Sequence, residues 1–482
     1  MRFRFGAGLI VMLLAAGVTT TSAASQDELL KDETHFLEQS SKLYTDVQKA
    51  AQTSHMEIVG HNDLGGRGFN GDVWVHKGYA YVGHWGFQDW ANGSKNRFCP
   101  SPPNSGVDVI DATNPANPRV VATLQNPVGT SAEDIVVFTA PYGPLRGREI
   151  AATGLQTCGS RFDPQGDRGL MMWDVTDPTA PVKVGYFKTA CCTRGIHEFE
   201  IASRADLHRT FAYTTVPTSR YPEIGSPSGY RDINGDGDFR LIDITNPAAP
   251  FQVSDFGIQD IGGPFTAGQG CDSDANYGHG AEPSNDGKLA FVSYWDSGFI
   301  ALDLTDPASP KFKGRTRYPA NADGDGHSSS YDDARKLLFS ADEDFCKTSG
   351  PDVETGYGYM RIWDVSNLAA PVQIGQYRTP NSLGLGSQGS GDYVIHNPLV
   401  IGTDVYASWY SDGVRVIDAS DPAHPKEVAY FVPPAGQNPV KPAQRSILSQ
   451  TPQVWGVVVD ESTGLIYASD MNSGLWILRR TR

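Results

Sequence analysis

Hydrophobic and polar residues alternate along most of the chain in short runs, which glycine, proline and small polar residues separate. One run recurs six times with the same ending, and its copies are GVDVIDATNPANP from Gly106, GLMMWDVTDPTAP from Gly169, GDFRLIDITNPAAP from Gly237, GFIALDLTDPASP from Gly298, YMRIWDVSNLAAP from Tyr359 and GVRVIDASDPAHP from Gly413. A shorter copy, GLWILRR, begins at Gly474. Alternation with β-branched and aromatic residues predicts strands. Copies roughly 55 to 70 residues apart are typical of propeller blades.

Each copy can be placed as the third strand of a four-stranded unit. A strand rich in small and aromatic residues precedes it, such as YAYVGHW from Tyr79, and a fourth strand follows the prolines. The aspartate that ends each copy is expected to accept backbone N–H groups in the following turn. The sequence therefore predicts an all-β fold, a seven-bladed β-propeller of four-stranded antiparallel blades over residues 55–482. Met56–His61 is expected to supply the fourth strand of the last blade and so close the ring.

The first residues have the pattern of a secretory signal. Arg2 and Arg4 precede a short apolar core, and small residues follow it up to residue 24. We therefore predict a signal peptide over residues 1–24, an N-terminal helix or spacer over 25–54, and an exported protein, periplasmic or extracellular. No other stretch is apolar enough to cross a membrane. The net charge of −16 argues against a nucleic-acid partner.

The phrases VDVIDATNP, LIDITNP and VRVIDASDP, each preceded by a strand similar to YAYV, resemble the LVIVD-repeat family of bacterial and archaeal extracellular β-propeller proteins. The resemblance covers roughly residues 55–480. It is weaker at Asn367–Leu368, where the usual Asn/Asp-Pro is missing. It implies a propeller fold and export. It implies little about activity, because propellers carry many different functions.

Strand order predicts that the long insertions gather on one face of the ring, where we expect a small-molecule or protein ligand to bind. All the cysteines fall in these insertions, and export permits disulfides between them. We favour a Cys99–Cys158 bond, followed by Cys191 or Cys192 with Cys271. The oligomeric state is left open.

Aligning the innermost strands places a histidine at the same position of four consecutive blades. These residues are His197, His279, His327 and His396. Because innermost strands line the channel, we expect the imidazoles to converge at its mouth, beside Glu133 and Glu198. Such a set could bind copper, zinc or iron. The alternative is a metal-free ring of histidines that form hydrogen bonds to neighbouring loops.

Aromatic and acidic residues are expected near the same mouth. The candidate ligand-binding residues are Trp85, Trp295, Trp409 and Trp455, which could instead pack between blades. The neighbours Asp342 and Glu343 should point to opposite faces of their strand. The first functional hypothesis is an exported propeller that binds a ligand or protein partner through its loop-rich face. The second is a metal-dependent oxidoreductase or hydrolase, in which Glu133, Glu198 or Asp296 transfers protons.

One local motif suggests calcium. Residues 232–243 read DINGDGDFRLID, in which acidic and amide side chains alternate with small residues. The candidate ligands are Asp232, Asn234, Asp236 and Asp238. The alternative is a simple Asn-Gly turn.

Overall fold

The structure is a computed structural model. It describes residues 51–66, 69–86, 105–157, 166–190, 193–217, 231–232, 234–261, 276–319, 322, 324–345, 356–383, 391–435 and 451–481. Within these ranges, antiparallel strands form seven separate sheets, and the innermost strands of neighbouring sheets pack against one another. The predicted seven-bladed β-propeller is confirmed.

The first four blades follow the chain from the channel outwards. Blade one contains β3 (Asn70–His76), β4 (Tyr79–His84), β5 (Gly106–Asp111) and β6 (Arg119–Gln125). Blade two contains β7 (Thr130–Ser131), β8 (Ile135–Thr139), β9 (Glu149–Thr157), β10 (Gly169–Asp174) and β11 (Val182–Lys188). Blade three contains β12 (Phe199–Arg204), β13 (Arg209–Thr215), β14 (Phe239–Asp243) and β15 (Phe251–Phe256). Blade four contains β16 (Ala281–Pro283), β17 (Leu289–Ser293), β18 (Phe299–Asp303) and β19 (Lys311–Arg315).

The last three blades include the two strands from the start of the described chain. Blade five contains β20 (Gly326–Asp332), β21 (Leu337–Asp342), β22 (Met360–Asp364) and β23 (Val372–Tyr377). Blade six contains β24 (Pro398–Ile401), β25 (Asp404–Trp409), β26 (Gly413–Asp418), β27 (Lys426–Val432) and β1 (Gln52–Ser54). Blade seven contains β28 (Val454–Asp460), β29 (Leu465–Asp470), β30 (Gly474–Arg480) and β2 (Met56–Asn62). Two short 3₁₀ turns cover Leu64–Gly66 and Ile258–Ile261.

The ring closes as predicted. β2 pairs antiparallel with β30, with Met56 opposite Arg480. β1, which lies at the end of the segment 25–54 predicted as a helix or spacer, is a strand that pairs with β27 of blade six. The outer edge of β27 offers unpaired backbone groups, and β1 satisfies them. Residues 1–50, including the predicted signal peptide, lie outside the described residues.

The hydrophobic core lies between blades. Val82 and Ile110 of blade one, for example, pack against Leu475 and Ile477 of blade seven. Both faces of the repeated third strand are therefore buried, as the pattern of Gly106–Asp111 shows. This explains why the repeat is almost continuously apolar.

The aspartate of each repeat forms the predicted turn. Its carboxylate accepts the backbone N–H of the residue two positions later, as in the pairs Asp111–Thr113, Asp174–Thr176, Asp243–Thr245, Asp303–Thr305, Asp364–Ser366 and Asp418–Ser420. No helix among the described residues is long and apolar enough to span a membrane.

Candidate metal centre at the channel mouth

The four aligned histidines lie side by side at one end of the channel. The ring centroids are 4.2 Å apart between His197 and His279, 3.9 Å between His279 and His327, and 4.3 Å between His327 and His396. They come together because each stands at or just before the start of an innermost strand in consecutive blades. The alignment of distant sequence positions therefore predicted a real cluster.

Two glutamates stand between these imidazoles. Glu198 Oε2 lies 3.6 Å from His279 Nδ1, and Glu198 Oε1 lies 3.6 Å from His327 Nε2. Glu343 Oε2 lies 3.4 Å from His327 Nε2, and its Oε1 lies 3.8 Å from His396 Nε2. We call His279, His327, His396, Glu198 and Glu343 the imidazole–carboxylate cluster.

These separations fit ligands that share a cation better than they fit hydrogen bonds. N–H···O hydrogen bonds are usually 2.7–3.2 Å long. Two ligands on a tetrahedral transition-metal ion, each bonded at about 2.0–2.1 Å, are about 3.3 Å apart. Two groups of three residues have ligand atoms within 4.8 Å of one another, namely Glu198, His327 and His396, and His279, His327 and Glu343. Small side-chain shifts would let either group bind an ion.

His197 and His396, at the two ends of the row of four histidines, are each held by residues outside the imidazole–carboxylate cluster. The backbone oxygen of Trp455 lies 2.8 Å from His396 Nδ1, so Nε2 points towards Glu343. Glu133 contacts His197 Nδ1 and accepts a 3.0 Å hydrogen bond from Trp455 Nε1. Metal-binding histidines are commonly oriented in this way through their second nitrogen.

His197 nevertheless belongs to neither three-residue group. Its Nε2 faces His279 Nε2 at 2.7 Å. His197 and Glu133 therefore orient His279 from outside, rather than completing the ligand set.

Several buried atoms of the cluster have no hydrogen-bond partner among the described residues. They are Glu198 Oε1, His327 Nδ1 and His396 Nε2. The residues that carry them are 8%, 1% and 0% exposed. Leaving such atoms unsatisfied costs about 1–3 kcal/mol each, and native proteins rarely do so without a reason. The donor set therefore fits a cation, because an ion between these residues would satisfy Glu198 Oε1 and His396 Nε2.

Burial sets the protonation of the cluster. It lowers the pKa of His327 and His396 well below the ordinary value of 6.5, and the neighbouring histidines contribute to the lowering. Both imidazoles are therefore neutral, which is the form that binds metals. Burial raises the pKa of Glu198 well above 4.5, as do nearby carboxylates, beginning with Glu133. A bound cation would favour the charged form of Glu198 instead.

A cavity of about 120 Å³ adjoins the cluster along the channel. Glu198 lines it together with Asp72, Asp134, Glu200 and Glu282. Burial is the main cause that raises the pKa of Asp72 and Glu200 to about 7 and that of Glu282 to about 8. The channel is therefore a strongly acidic environment that attracts cations.

Backbone strain also concentrates here. Trp295, Asp325 and Tyr410 have φ angles of 45°, 55° and 29°, in the left-handed region that bulky residues rarely adopt. The Trp295 ring lies 5.5 Å from that of His279, and the Tyr410 hydroxyl donates to Glu343. Such strain commonly marks functional sites.

The predicted ligand-binding tryptophans are all buried, with exposures from 0% to 4%. Trp295 and Trp455 pack around the histidines, and the Trp85 ring packs at a tilt against that of Trp455. Trp409 packs in the hydrophobic core between blades five and six. Asp296 is buried beside Trp295 and belongs to neither three-residue group. A ligand-binding role for the tryptophans stays a prediction.

The proposed calcium loop has a different environment. The Arg240 guanidinium, which is 1% exposed, donates to Asp232 at 2.8 Å and lies 3.7 Å from Asp236. Asp232 also accepts the backbone N–H groups of Asn234 and Asp236, whereas Asp238 accepts the N–H of Gly278. Asp238 thus turns away from the other candidates. Calcium at this loop stays a prediction that requires Arg240 to move.

Glu343 is the ligand candidate that the sequence interpretation did not assign to the metal. The expected alternation holds, because Asp342 pairs with Arg361 at 2.6 Å while Glu343 reaches the cluster. The available signal was the position of Glu343 at the end of the second strand of its blade. All six cysteines, and with them the disulfide predictions, lie outside the described residues.

The fold and this cluster define a seven-bladed β-propeller with buried imidazoles at the mouth of its channel. The LVIVD repeat model matches residues 67–87, 285–317 and 356–379, in blades one, four and five. The chain is therefore similar to LVIVD-repeat proteins over these three regions. No curated protein matches it.

Proposed function

We propose that this chain is an exported propeller that binds a transition-metal ion at the channel mouth and a small-molecule or protein ligand through its loop-rich face. The observation that carries the proposal is the spacing of 3.4–3.8 Å between imidazole nitrogens and carboxylate oxygens of the imidazole–carboxylate cluster. Copper, zinc and iron are the candidates, because imidazoles select these ions over calcium or magnesium.

The protein's contribution is to hold neutral imidazoles in place and to exclude competing water. Trp455 fixes His396 through its backbone oxygen and fixes Glu133 through its indole N–H. The Tyr410 hydroxyl fixes one oxygen of Glu343. A bound ion would supply Lewis acidity or one-electron chemistry, depending on its identity.

A metal-dependent oxidoreductase or hydrolase is the second candidate. It is favoured by the two buried carboxyls beside the imidazoles, because burial raises the pKa of both Glu133 and Glu198 well above 4.5. Such groups can hold a proton at neutral pH and deliver it to a bound substrate. Asp296, close behind Trp295, is a more remote candidate for the same role.

Metal analysis tests the proposal. Protein purified without chelator, and apo-protein reloaded with copper, zinc or iron, should each retain at least one ion per chain by mass spectrometry. His327→Gln should retain less metal than the wild type, because His327 belongs to both three-residue groups. His424→Gln is the matched control, since the side chain of His424 is 77% exposed at the surface. A folded wild-type protein that retains no transition metal would contradict the proposal.

Ligand access separates the two candidates. Azide should shift the visible spectrum of the cobalt-loaded protein if one coordination position is exchangeable, as a metal enzyme requires. An unchanged spectrum would favour binding without catalysis at the metal. Export is checked by mass spectrometry of the protein secreted from cells, which should begin near residue 25.

A further inference from the structure

We infer that the imidazole–carboxylate cluster holds two transition-metal ions side by side, bridged by Glu198. This inference rests on the proposed function and specifies its stoichiometry. Two observations lead to it: the cluster is wider than one ion can reach, and both carboxylates face two imidazoles at once.

The width follows from the two three-residue groups. They share only His327, and the five residues do not form a single group within 4.8 Å. Ligands bonded at about 2.0–2.2 Å to one ion cannot lie more than about 4.4 Å apart. One ion would therefore leave part of the cluster uncoordinated, whereas two adjacent ions use all of it.

The orientation of the carboxylates supports the same conclusion. The two oxygens of Glu198 face His279 and His327, and the two oxygens of Glu343 face His327 and His396. If His279 and His327 bind different ions, Glu198 can bond to each ion through one of its oxygens. Two-metal sites of this kind hold their ions about 3.5–4 Å apart.

Each ion can be assigned a ligand set. A neutral imidazole has one free lone pair, so His327 serves a single ion. With His327 and His396 on the first ion, the second takes His279, and Glu198 contributes one oxygen to each. Both oxygens of Glu343 face imidazoles of the first ion, so Glu343 binds that ion. His197 then supports His279 from outside, through the 2.7 Å contact between their Nε2 atoms.

Charge balance permits a second ion. Glu198 and Glu343 neutralise one divalent cation, and a second would leave a buried positive charge if nothing else compensated it. Compensation is available from Glu133 at His197 and from the acidic channel that Glu198 also lines. Asp72 and Asp134 line the same cavity as Glu198, so their carboxylates would stabilise both cations when deprotonated.

Stoichiometry tests the inference. Wild-type protein and His424→Gln should each bind two ions per chain in copper or zinc titrations, measured by mass spectrometry after gel filtration. His279→Gln and His396→Gln should each bind one, because each removes a ligand of a different ion. One ion in the wild type would overturn this inference while leaving the proposed function intact. No ion would overturn both.

Magnetic coupling provides a test that needs no variant. During titration with Cu²⁺, the electron paramagnetic resonance signal should rise with the first equivalent and fall as the second couples to it through Glu198. A signal that doubles without coupling would show that the two ions are far apart, and would overturn the inference. A signal that stops growing at one equivalent would overturn it as well.

Discussion

The imidazole–carboxylate cluster and the loop at Asp232 both look like metal sites in the sequence, and the structure separates them. At the loop, the Arg240 guanidinium already neutralises Asp232 and lies near Asp236. At the cluster, Glu198 Oε1 and His396 Nε2 are buried and have no hydrogen-bond partner among the described residues. The difference teaches that a row of ligand-type residues indicates a site only when the chain's own side chains leave those atoms unsatisfied.

Removing the guanidinium should have the largest effect on stability. Arg240→Met leaves the carboxylate of Asp232, a residue 2% exposed, without its counter-charge. We expect a loss of about 3–5 kcal/mol in the free energy of unfolding, measured by urea denaturation.

The double variant Arg240→Met/Asp232→Asn is the control, and it should recover part of this loss. Calcium should raise the melting temperature of Arg240→Met more than that of the wild type. An equal response in both proteins would show that Arg240 does not compete for this loop.

Metal addition should have the next largest effect. An ion that binds only the folded state stabilises it by about 4 kcal/mol when its concentration is a thousand times the dissociation constant. We therefore expect the melting temperature of apo-protein to rise on adding zinc or copper. His327→Gln should respond less than the wild type, whereas His424→Gln should respond like the wild type. An undiminished response in His327→Gln would place the stabilising ions elsewhere.

The acidic channel predicts that apo-protein becomes less stable as the pH rises. Burial raises the pKa of Asp72 and Glu200 to about 7 and that of Glu282 to about 8. Their contribution to stability is complete below the pKa of an unfolded carboxyl group and is lost as the pH rises through these raised pKa values. For each group, the free energy of unfolding should fall by on the order of 1 kcal/mol between about pH 6.5 and pH 8.

Two histidines act in the opposite direction at lower pH. Because burial lowers the pKa of His327 and His396, their contribution to stability is complete above pH 6.5 and is lost as the pH falls below it. The effect of the carboxyl groups on stability is therefore best measured above pH 6.5. Glu282→Gln should flatten the urea-denaturation profile near pH 8. A stability of apo-protein that rises from pH 6.5 to pH 8 would contradict this account of the channel.

The smallest expected effect comes from crowding one ligand. A Cβ atom at Gly280 would lie 2.7 Å from Glu198 Oε2, so Gly280→Ala must displace that carboxylate. We expect metal affinity, measured by competition with a chelator, to fall about tenfold. In a Glu198→Gln background the same change should add no further loss, and an additive effect would mean that Gly280 acts by another route.

The repeat made the fold predictable. Copies such as Gly106–Asp111 and Gly413–Asp418 define third strands, and their neighbours then fall into place, including the pairing of Met56 with the last blade. The strand at Gln52–Ser54 was not predictable, because a three-residue segment carries no periodic signal and forms only against the edge of β27.

The site was predictable only in part. Blade alignment brought the histidines together, since equivalent positions of a repeat must lie at equivalent depths of the channel. It could not identify Glu343, which reaches the cluster from the second strand of its blade. It also could not show that the Arg240 guanidinium binds Asp232 in the proposed calcium loop. Both depend on which way one side chain points, and local sequence does not specify that direction.

Anomalous diffraction from crystals of the zinc- or copper-loaded protein tests the central claim most directly. We expect two adjacent peaks at the metal edge, each within about 2.0–2.2 Å of ligand atoms from His279, His327, His396, Glu198 and Glu343. A map with no peak among these five residues, or with its metal at Asp232 instead, would contradict the claim that the channel mouth is a metal centre.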